Sequence, residues 1–250
     1  DFRSVHPDAV PVARDKEHSQ LAFTSAFPVL SPSGVEAMRT VIDNHRDLQS
    51  SNTRINRYLR GMAYSSKWVR AWAESPQVVA HLSRLAGMPL IPHYFHASYA
   101  HTNLSSDPGA NKVVDSWHVD SCPFVLIVVC SNMEGMEGGT LQVVKRQGHK
   151  AAVDLVKSTE NNVPANDMMI AEYVQAGYGI FMQGSDLLHR VTPVTKAKEA
   201  RISVVNSYMP ANVFTIDRTA PGSYLGGIDG TTPFPEAAFE FTRGRAWRAM

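Results

Sequence analysis

Val113-Val114-Asp115-Ser116-Trp117-His118-Val119-Asp120-Ser121 is the stretch whose pattern decides the fold. Val114, Ser116, His118 and Asp120 share one parity, and Trp117 and Val119 share the other. In a strand, residues two apart point to the same face, so His118 and Asp120 are predicted to project together from one wall. An imidazole and a carboxylate held side by side on a rigid strand offer two ligands to one metal ion. A third has to come from another segment. Downstream, Leu187-Leu188-His189-Arg190-Val191 supplies a further histidine, and Glu199-Ala200-Arg201-Ile202-Ser203-Val204-Val205 follows it.

Two histidines and one carboxylate on one face of a metal, with the remaining positions open, form the ligand set of non-haem Fe(II) oxygenases. The His-x-Asp pair alone is a cheap match. It occurs three times, as His6/Asp8, His45/Asp47 and His118/Asp120. The second lies in His45-Arg46-Asp47-Leu48-Gln49-Ser50-Ser51-Asn52, which fits the H-R-D-L-x-x-x-N catalytic loop of protein kinases. Only 44 residues precede it, and neither G-x-G-x-x-G nor V-A-I-K is among them; no D-F-G follows. It reads as a coincidence at a helix end. His6-Pro7-Asp8 sits in a Pro-containing terminal segment with no strand to hold it rigid.

A 250-residue chain with 44% apolar and 19% charged residues has the composition of an ordinary globular enzyme. A net charge of +1 gives no footprint for nucleic acid or an anionic membrane. No apolar run reaches the length of a membrane span and no signal-peptide pattern opens the chain. Cys122 and Cys130 lie too close in sequence to suggest a disulfide framework, so a reduced, cytoplasmic location is the expectation. The expected partners are then a small-molecule substrate, with no nucleic acid and no membrane. The oligomeric state is left open.

Along the chain, Phe27-Pro28-Val29-Leu30 reads as a short strand, and Ser31-Pro32 as a helix start with Val35, Met38 and Ile42 as its apolar stripe. Residues 50–60 are polar and basic, and Tyr64, Trp68 and Trp72 continue as a second helix. A third opens at Ser75-Pro76 and ends at Gly87. After Gly87 the texture changes to short extended segments: residues 89–103, the His118/Asp120 strand, the continuous apolar run 124–130, and segments 140–144, 177–182, 188–194 and 201–209. Residues 148–158 interrupt them as a short helix. The prediction is one mainly β domain spanning residues 1–250. Its jelly-roll core covers residues 89–210, with an α-helical N-terminal third (1–88) before it and a loop and helix extension (211–250) after it. A parallel α/β sheet would need helices between successive strands, and the pattern lacks them.

With these residues in place, the chain resembles the Fe(II)- and 2-oxoglutarate-dependent dioxygenase superfamily, whose core is a double-stranded β-helix, and its biosynthetic small-molecule branch in particular. The resemblance covers roughly residues 90–210 and rests on His118, Asp120, His189 and Arg201-x-Ser203 in order. The His189-Arg190-Val191-Thr192-Pro193-Val194 texture and the Gly138-Gly139-Thr140-Leu141 turn add to it. It implies that His118, Asp120 and His189 hold Fe(II) and carry catalysis. It also implies that Arg201 and Ser203 grip the distal carboxylate of 2-oxoglutarate, and that O2 takes the last coordination position. Arginine suits such a grip because its planar fork donates two parallel hydrogen bonds to a carboxylate.

For the iron-proximal end of the cosubstrate the candidates are Tyr99, His101, Asn103 and Gln183. Arg54, Arg57 and Arg60 would share a helical face if residues 54–60 were helical, and could then converge on a substrate carboxylate. The expected reaction is oxidation of a C–H bond of a small carboxylate-bearing metabolite, such as an amino acid or its derivative, with succinate and CO2 as coproducts. Halogenation is disfavoured, because halogenases of this superfamily replace the carboxylate ligand by a small residue, and here Asp120 is present. Two alternatives stay open: an iron oxygenase of the same fold that does not use 2-oxoglutarate, and a non-catalytic jelly-roll binding protein.

Overall fold

In the computed structural model of this chain, residues 19–105, 113–145, 148–225 and 234–250 are described. The strands are β1 (Phe27–Pro28), β2 (Gln49–Ser50), β3 (Arg57–Leu59), β4 (Leu90–Pro92), β5 (His101–Leu104), β6 (Asp115–His118) and β7 (Phe124–Val129). They continue as β8 (Glu137–Gly138), β9 (Leu141–Val144), β10 (Met168–Ala171), β11 (Tyr178–Met182), β12 (His189–Val191), β13 (Val194–Lys196) and β14 (Ile202–Pro210). The larger sheet has the order β1-β11-β7-β14-β5-β3-β2, with β4 also paired to β14. A smaller sheet runs β10-β9-β12-β6, and β13 and β8 form a two-stranded ribbon. This is the mostly β architecture with attached helices expected of a jelly roll.

The larger sheet is covered on both faces, which is why β7 is apolar at every position rather than alternating. Leu126 and Val128, with Phe181, Val204 and Tyr208 on neighbouring strands, pack against the helices. Val125, Ile127 and Val129, with Ile180 and Met182, face Leu141, Val143 and Val191 of the smaller sheet. The parity of β14 therefore assigns its residues in advance. Ile202, Val204 and Tyr208 belong to the helical layer, while Ser203, Val205 and Ser207 are of the opposite parity, on the side facing the smaller sheet.

The helices form where the local signals place them. The Ser31 side chain accepts a hydrogen bond from Gly34 N–H at the start of helix Pro32–Asn44, whose buried residues are Val35, Met38 and Ile42. Met38 and Ile42 are fully buried, each contributing roughly 1.5–3 kcal/mol by removal from water. Helix Pro76–Ala86 ends at Gly87, whose φ of 68° is the left-handed closing residue. The aromatic helix is split into Met62–Ser65 and Lys67–Ala73, with the Ser66 side chain capping the second piece at Val69 N–H.

The N-terminal third is not purely helical. β1 pairs with β11, while β3 pairs with β5 in the register Arg57↔Leu104, Tyr58↔Asn103 and Leu59↔Thr102. An open edge of β5 would leave a row of unpaired backbone groups, and residues 57–59 satisfy it by becoming a strand. This overturns the helical reading of residues 54–60. Among the described residues, no helix is long and apolar enough to cross a membrane.

Candidate metal centre

His189 on β12 lies directly opposite His118 on β6. Their ring centroids are 4.2 Å apart. Nδ1 of His118 is 2.6 Å from the Ser116 carbonyl, and Nδ1 of His189 is 2.8 Å from the Leu187 carbonyl. A carbonyl can only accept, so each Nδ1 carries a proton and Nε2 is the nitrogen left for a ligand, the arrangement in which metal-ligating histidines are usually held. Asp120 lies two residues past the end of β6, not within it, and its N–H donates to the Gly184 carbonyl at 2.9 Å. Gly184 permits the approach: a Cβ there would fall 2.0 Å from Asp120 Oδ2.

The Asp120 carboxylate spans the two rings, with Oδ1 3.4 Å from His118 Nε2 and Oδ2 3.5 Å from His189 Nε2. The three donors lie within 4.8 Å of one another. Adjacent ligands of a first-row metal, each bonded at roughly 2.0–2.2 Å, sit about 3 Å apart, so this set fits one ion with little movement. Oδ2 of Asp120 is buried without a hydrogen-bond partner. Burial lowers the His189 pKa to about 4, aided by the neighbouring His118, which keeps the ring neutral and able to ligate. Burial alone would raise the Asp120 carboxyl, but His189, His118 and Arg54 outweigh it and hold the group below the usual carboxylate range.

Arg201, the residue before β14, is completely buried. Its Nη1 donates to Ser203 Oγ at 2.8 Å, while Nε and Nη2 have no hydrogen-bond partner. No carboxylate pairs with it among the described residues. The glycine pair of the β8–β9 turn makes room here. A Cβ on Gly139 (φ +67°) would lie 2.8 Å from Arg201 Cδ, and one on Gly138 would lie 2.0 Å from the Pro193 carbonyl oxygen.

A cavity of about 40 Å³ lies beside Asp120, bounded by Arg54, Arg60, His101, Asn103 and Asp115 among others. A wider mouth of about 420 Å³ opens on the His118 side, with Thr53, Trp117 and Ser223 in its wall. Arg54 and Ser121 border both. Arg60 is buried, with Nε donating to His101 Nδ1 at 3.1 Å and Nη1 to the Ser223 carbonyl at 2.9 Å. Accepting at Nδ1 leaves His101 with its proton on Nε2, and that donor has no partner. Burial, with Arg60 adding to it, pushes the His101 pKa well down, so the ring is neutral. The Asn103 Oδ1 is likewise buried and idle.

The residues singled out from sequence divide accordingly. His118, Asp120 and His189 come together, Arg201 and Ser203 join as a pair, and His101 and Asn103 border the cavity. Tyr99 and Gln183 do not border it: the Tyr99 hydroxyl donates to the His93 carbonyl at 2.7 Å, and the Gln183 amide donates to the Ser19 and Leu21 carbonyls. Of the three arginines, Arg54 and Arg60 reach the cavity. Arg57, on the strand, turns to the Ser105 carbonyl instead. The kinase-like His45 is a helix-end residue bonded to Val41 O and Ser65 Oγ, while His6 and Asp8 lie outside the described residues.

Sequence reasoning missed Asp115 and Tyr224. Asp115 lies 3.2 Å from Arg54 Nε and 3.4 Å from His118 Nδ1, and burial raises its pKa. Residues three apart on a regular strand face opposite ways. The register shifts between the His189↔His118 and Val191↔Asp115 pairs, and this irregularity brings Asp115 to the side of His118. No sequence signal marked it. Cys122, beside the cavity, sits 3.7 Å from the Tyr224 hydroxyl, and burial pushes its thiol up to about 11, so it packs as a small neutral side chain.

The profile of the Halogenase D (HalD) family matches residues 39–220, which include every residue of the centre. The chain belongs to this family. A search of the curated protein sequences finds no match. Among solved structures, the epimerase SnoN in complex with Fe3+, alpha ketoglutarate and nogalamycin RO is similar, with 17% identity, a TM-score of 0.53 and coverage of 89% of this chain and 90% of that one. HygX from Streptomyces hygroscopicus with nickel and 2-oxoglutarate bound gives 16% identity, a TM-score of 0.52 and coverage of 88% and 95%. AviO1 from Streptomyces viridochromogenes Tue57 gives 16% identity, a TM-score of 0.53 and coverage of 80% and 94%. This member of the HalD family thus has the fold of the non-haem iron and 2-oxoglutarate proteins that its sequence resembles.

Proposed function

We propose that this protein is a non-haem Fe(II)- and 2-oxoglutarate-dependent oxygenase that oxidises a C–H bond of a small carboxylate-bearing metabolite, an amino acid or its derivative. The observation that carries the reading is that the metal donors, the arginine pair and the cavity wall each leave a buried polar atom idle. Asp120 Oδ2, Arg201 Nε and Nη2, His101 Nε2 and Asn103 Oδ1 all lack partners, and all belong to the metal centre, the arginine pair or the cavity. Each such group costs about 1–3 kcal/mol when left unpaired, so idle atoms at the three donors, the arginine pair and the cavity wall support a reading in which bound ligands satisfy them. A metal satisfies the first, and a dianionic oxo acid satisfies the guanidinium.

Fe(II) held by His118, Asp120 and His189 together with 2-oxoglutarate would supply O2 activation coupled to oxidation of the cosubstrate to succinate and CO2. The chain's own residues hold the partners in place. The backbone carbonyls of Ser116 and Leu187 fix both imidazoles, Gly184 lets Asp120 reach them, and Arg201 with Ser203 anchors the distal carboxylate. His101 and Asn103 are the remaining candidates for the iron-proximal end of the cosubstrate. Arg60 is a buried cation without a carboxylate partner among the described residues, and Arg54 stands where mouth and cavity meet. Both are suited to draw in and orient an anionic substrate.

Family membership favours a second reading, halide transfer, and Asp120 argues against it by occupying the position a halide would need. The test uses anaerobic Fe(II) and 2-oxoglutarate, followed by O2, chloride and a panel of amino acids. A visible metal-to-ligand charge-transfer band, substrate-stimulated succinate release and a product one oxygen atom heavier are expected. A chlorinated product would establish the second reading. Absence of the band with intact folded protein would remove both.

A further inference from the structure

Tyr173 lies between β10 and β11 and packs in the cluster formed by the two sheets, beside Arg201. The Arg201 guanidinium carbon is 5.1 Å from the centre of its ring. The Tyr173 hydroxyl is buried and has no hydrogen-bond partner, as have Nε and Nη2 of the arginine it adjoins. Three idle donors of two neighbouring side chains in one buried place are a costly arrangement, and a single acceptor-rich anion would satisfy them. Burial pushes the Tyr173 phenol up to about 12 in spite of the adjacent cation, so the group is a proton donor throughout the working range. Gly139 packs closely against the same guanidinium, since a Cβ there would fall 3.2 Å from Arg201 Nε.

We infer that the Tyr173 hydroxyl is a third donor to the distal carboxylate of 2-oxoglutarate, acting with Arg201 and Ser203 to select a cosubstrate with that second carboxylate. The inference rests on the cosubstrate reading above and adds a residue that the Arg-x-Ser pattern does not contain. One carboxylate oxygen takes the arginine, and its partner takes the phenol. An oxo acid lacking the distal carboxylate leaves all three donors idle and is rejected, as sites built to hydrogen-bond a ligand group reject analogues without it.

The experiment measures binding of 2-oxoglutarate and of pyruvate, which shares its oxo acid end, to the Mn(II)-loaded full chain by calorimetry, with no turnover involved. Tyr173→Phe keeps the ring and removes only the hydroxyl. It should weaken 2-oxoglutarate about tenfold, the loss of one hydrogen bond to a charged group, and leave pyruvate within about twofold. A tyrosine difference absorbance on adding 2-oxoglutarate to the wild-type chain should vanish in this variant, and it tests the contact even if the variant folds poorly. Unchanged 2-oxoglutarate affinity, or equal weakening of both acids, would overturn the role of Tyr173 while Arg201→Ala still discriminates between them. If the wild-type chain binds the two acids equally and Arg201→Ala alters neither, the cosubstrate reading itself fails and takes this inference with it.

Discussion

Replacing Gly184 by alanine puts a methyl carbon 2.0 Å from Oδ2 of Asp120 and 2.8 Å from its Cβ. Non-bonded heavy atoms rest near 3.5–4.0 Å, so one side must move by more than a full ångström. The backbone at Gly184 is not in the left-handed region, so alanine carries no conformational penalty there and the effect is steric. Separation is resisted because the Gly184 carbonyl holds the Asp120 N–H at 2.9 Å. The carboxylate must therefore swing away from the imidazoles. Overpacking of this kind costs about 1–3 kcal/mol, which for a chain of this size shifts Tm by a few degrees to about 10 °C. Metal binding should suffer more, by roughly 10–100-fold, the range seen when the support of a ligand is disturbed. Anaerobic Mn(II) and Fe(II) titrations of the folded Gly184→Ala variant measure this, with thermal denaturation of the metal-free protein alongside. Gly34→Ala serves as control, since a Cβ there meets nothing closer than 3.4 Å and lies far from the centre in sequence. Wild-type metal affinity in a folded Gly184→Ala variant would refute the proposed role of Asp120 as a ligand.

Alanine at His118 or His189 should abolish the anaerobic Fe(II)–2-oxoglutarate band, whereas His45→Ala should leave it intact; a persisting band in His189→Ala contradicts the ligand assignment. Arg201→Ala should weaken 2-oxoglutarate at least about tenfold and Ser203→Ala less, measured by the same band, because the arginine supplies the charge and the serine one bond. His93 gives a pH prediction away from the site. Its Nδ1 accepts from Phe95 N–H, its Nε2 donates to Thr219 Oγ1, and burial lowers its pKa from 6.5 to about 3. Between those values the unfolded chain takes up a proton that the folded chain refuses, so this contribution to stability is lost as pH falls through that window, amounting to roughly 4–5 kcal/mol below it. Denaturant titrations should show a flatter pH slope for His93→Asn than for the wild-type chain, and parallel slopes would exclude the linkage.

The sequence by itself determined the elements whose signals are local. Ser31 and Gly87 bracket helices because capping involves neighbours three or four residues away. The run Phe124–Val129 announced a strand buried on both faces because every position is apolar. The grouping of His118, Asp120 and His189 and the pairing of Arg201 with Ser203 were legible because each side chain carries distinctive chemistry and their order survives in the chain. Other features depended on partners distant in sequence. Residues 57–59 became a strand because β5 needed an edge partner, a requirement invisible in the basic run itself. Only the fold showed that Tyr99 and Gln183 direct their polar groups to the His93, Ser19 and Leu21 carbonyls. Asp115 reached His118 through a register irregularity that strand parity does not encode. Gly184 and Tyr173 acquired meaning only from what lies against them. A glycine or tyrosine in a sequence states its chemistry but not its neighbours, and in a structure whose strands pair across most of the chain's length, the neighbours are set by long-range register.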